Sequence, residues 1–134
     1  MNSAAKLFLI PSALGEGSLH HIWPATHADT IRHIRHFIVE KERTARRFLR
    51  KSGFDAPFEE VHFYLLNKHS EPSVLQTYLN AALKGHDMGL LSEAGCPCVA
   101  DPGQSLVAQA HRMGIRVIPL VGGSSILLGL MASG

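Results

Sequence analysis

The chain has 134 residues, a formal net charge of +2 and 46% apolar residues, enough to bury a core of its own as one domain. Those figures exclude intrinsic disorder, and the longest apolar runs, LFLI near the start and SSILLGLMA near the end, are too short or too interrupted to cross a bilayer. Charge is distributed unevenly, with eight of the thirteen basic residues between Arg32 and Lys51.

In chain order, KLFLIP (6–11) is short and apolar and predicts a buried strand, followed by a helical pattern over Thr26 to Ile34. HFIVE (36–40) predicts a second strand, and Glu42 to Lys51 a helix with basic and apolar sides. VHFYLLN (61–67) reads as a third strand. Glu71 to Lys84 reads as one helix with Val74, Leu75, Tyr78, Leu79, Ala82 and Leu83 on a single stripe. DMGLLS (87–92), a helix over Pro102 to Met113 carrying Leu106, Val107 and Ala110 inward, and IRVIPL (115–120) complete the pattern. Asp101 can cap a helix that begins at Pro102, while Gly53, Gly85 and Gly114 each follow a last turn. Five strand-helix units with apolar strands predict an α/β fold: a five-stranded, mainly parallel sheet with helices on both faces. In such sheets ligands bind beyond the carboxyl ends of the strands.

Metal and redox chemistry find little support in the residues. Cys96 and Cys98, separated by one proline, are too close for an unstrained disulfide and lack the paired spacing of a zinc site; they read as free thiols in a reducing cytoplasm. The nine histidines show no recurring ligand spacing and read as surface residues, so no metal is expected. Gly15-Glu16-Gly17 begins like a dinucleotide fingerprint, but no third glycine follows in place and there is no Walker lysine.

Three loops at the expected carboxyl edge are rich in small residues. They are PSALGEG (11–17), SEAGCP (92–97) and VGGSS (121–125). Small residues let a ligand approach the backbone, and successive amide groups suit a carboxylate or phosphate. Any one of these loops is better explained by the need to turn the chain, but three on one edge shift the balance toward a nucleotide-like ligand. On the helix Glu42 to Lys51, Arg43, Arg46, Arg47 and Arg50 share one side and Ala45, Phe48 and Leu49 the other. The arginine side reads either as a solvated face or as a set of phosphate contacts of the kind RNA offers.

The stretch LLSEAGCPCVADPGQSLVAQAHRMGIRVIPLVGGSSILLGLMASG resembles the run S-D-A-G-T-P-x-x-x-D-P-G, then G-I-x-V, P-G-P-S-A and A-S-G of the tetrapyrrole (corrin/porphyrin) methylase superfamily. It is most similar to the branch that methylates a cytidine ribose 2'-hydroxyl in small-subunit ribosomal RNA. LFLIPSALGEG is similar to that branch's first strand and T-P-I-G-N loop, and FIVEKERTARRFLRKSG to its A-A-E-D-T-R segment and basic helix. Departures fall at Ala13, Lys41, Glu42, Glu93, Cys96 and Gly123.

The resemblance implies a cytoplasmic S-adenosylmethionine-dependent methyltransferase acting on ribosomal RNA. It also implies a homodimer whose cofactor lies in a cleft between two domains, with residues 1–134 as the N-terminal one. The cofactor contacts it implies are Pro11, Ser12, Ala13 and Leu14; Ser92, Glu93, Ala94, Gly95, Cys96 and Pro97; and Gly122, Gly123, Ser124 and Ser125. Glu40 and Arg43 match the family's E-x-x-R positions and either orient the substrate or form a structural ion pair. A tetrapyrrole substrate fits less well, because the opening loop lacks that branch's G-x-G-x-G-D pattern. The rival from another class is a diverged, non-catalytic module that binds RNA or a metabolite at the same edge.

Overall fold

A computed structural model describes residues 5–11, 26–66, 70–91 and 103–120. The expected apolar runs form strands β1 (Lys6–Ile10), β2 (His36–Val39), β3 (His62–Leu65), β4 (Met88–Leu91) and β5 (Arg116–Pro119). They make one sheet of order β3-β2-β4-β1-β5 in which every pairing is parallel. Between them lie α1 (Thr26–Ile31), α2 (Glu42–Lys51), α3 (Pro72–Tyr78), α4 (Asn80–Leu83) and α5 (Gly103–Arg112).

Why the strands read as solid apolar runs follows from the two layers that cover them. Phe8, Ile10, Phe37, Val39 and Leu91 pack against Ile31 of α1 and Ala45 and Leu49 of α2. The alternate residues Leu7, Leu9, Ile38, Met88 and Leu90 pack on the other side against Leu75 of α3, Leu79 between α3 and α4, Ala82 of α4, and Leu106 and Ala110 of α5. On the α1–α2 side one row crosses all five strands: Phe63, Phe37, Gly89, Phe8 and Ile118. Gly89 supplies the gap that the phenylalanines on either side of it require.

Three expectations are corrected in detail. The first helix ends at Ile31 rather than Ile34, because a turn closed by Ile34 N–H donating to Ile31 O (3.0 Å) drives Ile34 into the core. The helix expected from Glu71 to Lys84 is two, parted at Leu79, where Thr77 Oγ1 donates back to Val74 O at 2.6 Å and Tyr78 Oη donates to Leu65 O at 2.6 Å. Back-bonding of this kind bends helices. Its apolar stripe is also narrower than expected, since Val74 and Leu83 are 37% and 54% exposed. A 3-10 turn, Phe58–Glu60, precedes β3; Val61 N–H donates to Phe58 O (3.1 Å), so the strand starts at His62.

The glycine stops behave as the sequence suggests. Gly53, Gly85 and Gly114 have φ of 94°, 94° and 74°, the left-handed conformation that ends helices. The expected cap at Asp101 and Pro102, the apolar segment after Leu120, and Cys96 and Cys98 lie outside the described residues. Among the described residues, no helix is long and apolar enough to cross a membrane.

Candidate functional site at the carboxyl edge of the sheet

Neighbouring strands β2 and β4 send the chain to opposite layers, β2 into α2 and β4 toward α5. The same divergence separates β4 from β1, which leads to α1. Where adjacent connections part in this way, a crevice opens beyond the carboxyl ends of the strands, and open α/β sheets bind ligands there. Val39 and Ile10 both stand in register with Leu91, so Glu40 and Pro11, each one residue past its strand, flank the end of β4. Pro11 is buried and Glu40 half-buried.

Of the expected cofactor contacts, Pro11 alone lies among the described residues, at this edge. Ser12, Ala13, Leu14, Ser92, Glu93, Ala94, Gly95, Cys96, Pro97, Gly122, Gly123, Ser124 and Ser125 lie outside them, as does Gly15-Glu16-Gly17. Chain order makes these segments the continuations of β1, β4 and β5.

Helix α2 starts two residues beyond Glu40 and brings the basic residues to the same end of β2. It buries Ala45 and Leu49 and half-buries Phe48, leaving the arginines outside. The arginines are not equivalent, however. Arg46 bonds Glu42 one turn back at 2.6 Å and lies 5.0 Å over the Phe58 ring and 5.7 Å over Phe63. Arg50 lies 3.9 Å over Phe58 and donates to Phe54 O at 2.7 Å and Ala56 O at 2.9 Å. Arg43 and Arg47 are exposed and have no bonded partner among the described residues.

Sequence reading missed the platform beneath Arg46 and Arg50, because Phe58 comes to them through the turn at residues 52–57 and no helical spacing announces it. It also missed a cluster at the amino edge. His36 stacks on His62 with centroids 4.9 Å apart and planes 11° apart, and lies 5.3 Å from His86. His36 Nδ1 and Tyr64 Oη are hydrogen-bonded at 2.9 Å. Burial, then the neighbouring charges of His62 and His86, hold the His36 imidazole below its ordinary pKa, while burial raises Tyr64. Nearby, Asp87 accepts from Lys6 N–H (2.8 Å) and His33 Nε2 (2.7 Å), tying β1 to the turn before β2.

The expectation of surface histidines is thus corrected at His27, which is buried, and at His36, which is half-buried. One signal was present: the dipeptide His-Phe opens both β2 and β3, and parallel register sets His36 against His62 and Phe37 against Phe63. Among the described residues no group of histidines, cysteines or carboxylates is arranged to hold a metal ion.

No family model matches the chain. Over 132 residues, 98% of the chain, it is 30% identical to the ribosomal RNA small subunit methyltransferase I of Pseudomonas aeruginosa. Over 133 residues, 99% of the chain, it is 29% identical to the protein of the same name from Vibrio cholerae. The chain spans 44% and 43% of the lengths of those two relatives. Among solved structures, that of the methyltransferase CobJ matches with a TM-score of 0.63 over 97% of this chain and 51% of that one. At 15% identity that likeness concerns the fold. Likeness of sequence along nearly its whole length places the chain with the ribosomal RNA small subunit methyltransferase I proteins, in the tetrapyrrole methylase superfamily.

Proposed function

We propose that the chain forms the first of two domains of a cytoplasmic, homodimeric methyltransferase that uses S-adenosylmethionine to methylate a ribose 2'-hydroxyl of small-subunit ribosomal RNA. The observation that carries this reading is the strand order, in which the connections after β2, β4 and β1 part to opposite layers, with Glu40 and Pro11 flanking the carboxyl end of β4. The share of the relatives' length that the chain spans, 44% and 43%, supports a two-domain enzyme of which this is one wall.

S-adenosylmethionine, when bound, supplies an electrophilic methyl carbon. A half-buried carboxylate at this edge, Glu40, fits a ribose-bearing ligand, since hydroxyls donate to such an oxygen. The residues nominated for the cofactor are Pro11 to Leu14, Ser92 to Pro97 and Gly122 to Ser125. Glu40 and Arg43 are nominated to orient the acceptor ribose and its phosphate, the positioning that an in-line transfer would require of this chain.

The test is an assay of the 134-residue chain and of a longer form carrying a second domain, both against small-subunit ribosomal RNA with labelled S-adenosylmethionine. One wall of a cleft binds S-adenosylhomocysteine weakly and transfers no methyl group; the longer form transfers it. Robust transfer by residues 1–134 alone overturns the two-domain reading. Binding without transfer by both forms favours the non-catalytic alternative, which the departures at Ala13, Lys41 and Gly123 motivate.

A further inference from the structure

Helix α2 carries its charged side chains in two adjacent rows, each spaced four residues apart. One row is Glu42, Arg46 and Arg50; the other is Arg43, Arg47 and Lys51. Every member of the first row is occupied. Glu42 and Arg46 pair at 2.6 Å, Arg46 lies over Phe58 and Phe63, and Arg50 lies over Phe58 while both of its terminal nitrogens donate to the carbonyls of Phe54 and Ala56. Below them, the Phe58, Phe63, Phe54 and Phe37 rings run without a break into the core, with centroids 5.4 to 6.4 Å apart. The second row differs in every respect. Arg43, Arg47 and Lys51 are exposed, and their side chains have no hydrogen bond, ion pair or ring contact among the described residues.

We infer that the two rows of the basic helix have different roles. Arg46 and Arg50 clamp α2 to the aromatic platform, and Arg43, Arg47 and Lys51 form the ridge that receives the phosphate backbone of an RNA strand. This rests on the RNA reading proposed above and narrows it.

Physical chemistry separates the two rows. A guanidinium already bonded to two carbonyls and lying on a ring has few donors left for a phosphate, and withdrawing it exposes those carbonyls. A cation with no protein partner loses only its water and counterions when a phosphate arrives, and the released counterions drive binding. Three such cations along two turns of a helix, whose one carboxylate, Glu42, is already taken by Arg46, face a polyanion without competition from their own helix. Glu40, at the start of the segment, is half-buried at the strand end and does not belong to either row.

The experiment measures affinity for a labelled single-stranded segment of small-subunit ribosomal RNA across a salt series, alongside thermal melting, for the 134-residue chain and its variants. Each phosphate contact contributes about 0.7 to the slope of log affinity against log salt for single strands. Arg43→Gln/Arg47→Gln/Lys51→Gln is expected to flatten the slope by about 2 and to leave the melting temperature unchanged. Arg47→Gln alone should flatten it by about 0.7. The loss should be the same on a scrambled RNA of equal length, because phosphates carry no sequence.

Arg50→Lys keeps the charge but not the fork; it should lower the melting temperature and leave the salt slope as in the parent when measured well below melting. A parent slope in the ridge variants, or a slope in Arg50→Lys flattened as much as in Arg47→Gln, overturns the division. Absence of salt-dependent RNA binding by the parent itself overturns the RNA reading and removes the division with it.

Discussion

A methyl group added at Gly89 would stand 2.6 Å from Ile10 Cδ1 and 2.9 and 3.0 Å from two carbons of the Phe37 ring. Carbon atoms rest at about 3.5–4.0 Å, so Gly89→Ala forces a displacement approaching an ångström. Ile10 and Phe37 are both fully buried, and Phe37 is hemmed in by Phe54 at 5.4 Å and Phe63 at 6.1 Å. The ring has nowhere to swing. Overpacking of this kind costs roughly 1–3 kcal/mol, offset by about 0.5–1 kcal/mol because alanine loses less conformational entropy than glycine in a strand. A net loss of about 1–2 kcal/mol lowers the melting temperature of a chain this size by roughly 3–10 °C.

The nearest atom, Ile10 Cδ1, is the one that Ile10→Val removes. That substitution alone costs about 0.5–1.5 kcal/mol. Combined with Gly89→Ala, the loss should fall short of the sum of the two single losses by about 1 kcal/mol, as expected for residues in contact. Urea unfolding of the four proteins measures all three differences. A neutral or stabilising Gly89→Ala, or a cycle with no coupling, refutes the reading of Gly89 as the gap in the phenylalanine row.

Three further outcomes are expected. His36 has a lowered pKa in the fold, so the folded chain binds fewer protons than the unfolded one as pH falls; stability is level above about pH 6.5 and declines as pH drops through it. His36→Asn should remove part of that acid slope in melting curves recorded from neutral to mildly acidic pH, and an unchanged slope contradicts the assignment of the slope to His36. Asp87→Ala leaves the Lys6 amide and His33 without their acceptor and should cost about 1–2 kcal/mol in chemical denaturation; no loss would remove Asp87 as a tie between β1 and the turn before β2. Gly114→Ala, at φ 74°, should cost about 1–2 kcal/mol, and a neutral result would show that the turn relaxes.

How far the sequence was legible depends on the range of the interaction. Strands announce themselves locally, since a run such as LFLI needs no partner to be recognised as doubly buried. All five appear in the structure within a residue or two of their expected bounds. The strand order does not announce itself, because apolar runs of similar composition do not say which neighbour each will choose. Helix α2 was legible to its end residues, with its basic side and its apolar side both read from spacing. Its division into clamp and ridge was not, because it depends on where Phe58 lands after a turn that periodicity does not describe. The same holds for the histidine stack, where the repeated His-Phe dipeptide becomes meaningful once β2 and β3 are known to lie side by side. Thr77 and Tyr78 broke the long third helix through bonds to a carbonyl one turn back and to one on a neighbouring strand.

The central claim is that S-adenosylmethionine occupies the carboxyl edge of this sheet, and titrating the isotope-labelled chain with S-adenosylhomocysteine while following its backbone amide signals tests it most directly. The predicted result is movement of the Ile10 and Glu40 signals and of those from residues 12–14 and 92–97, with His36, His62 and His86 left where they were. Signals that move at the amino edge around those histidines, or a spectrum that does not change at saturating ligand, would contradict it.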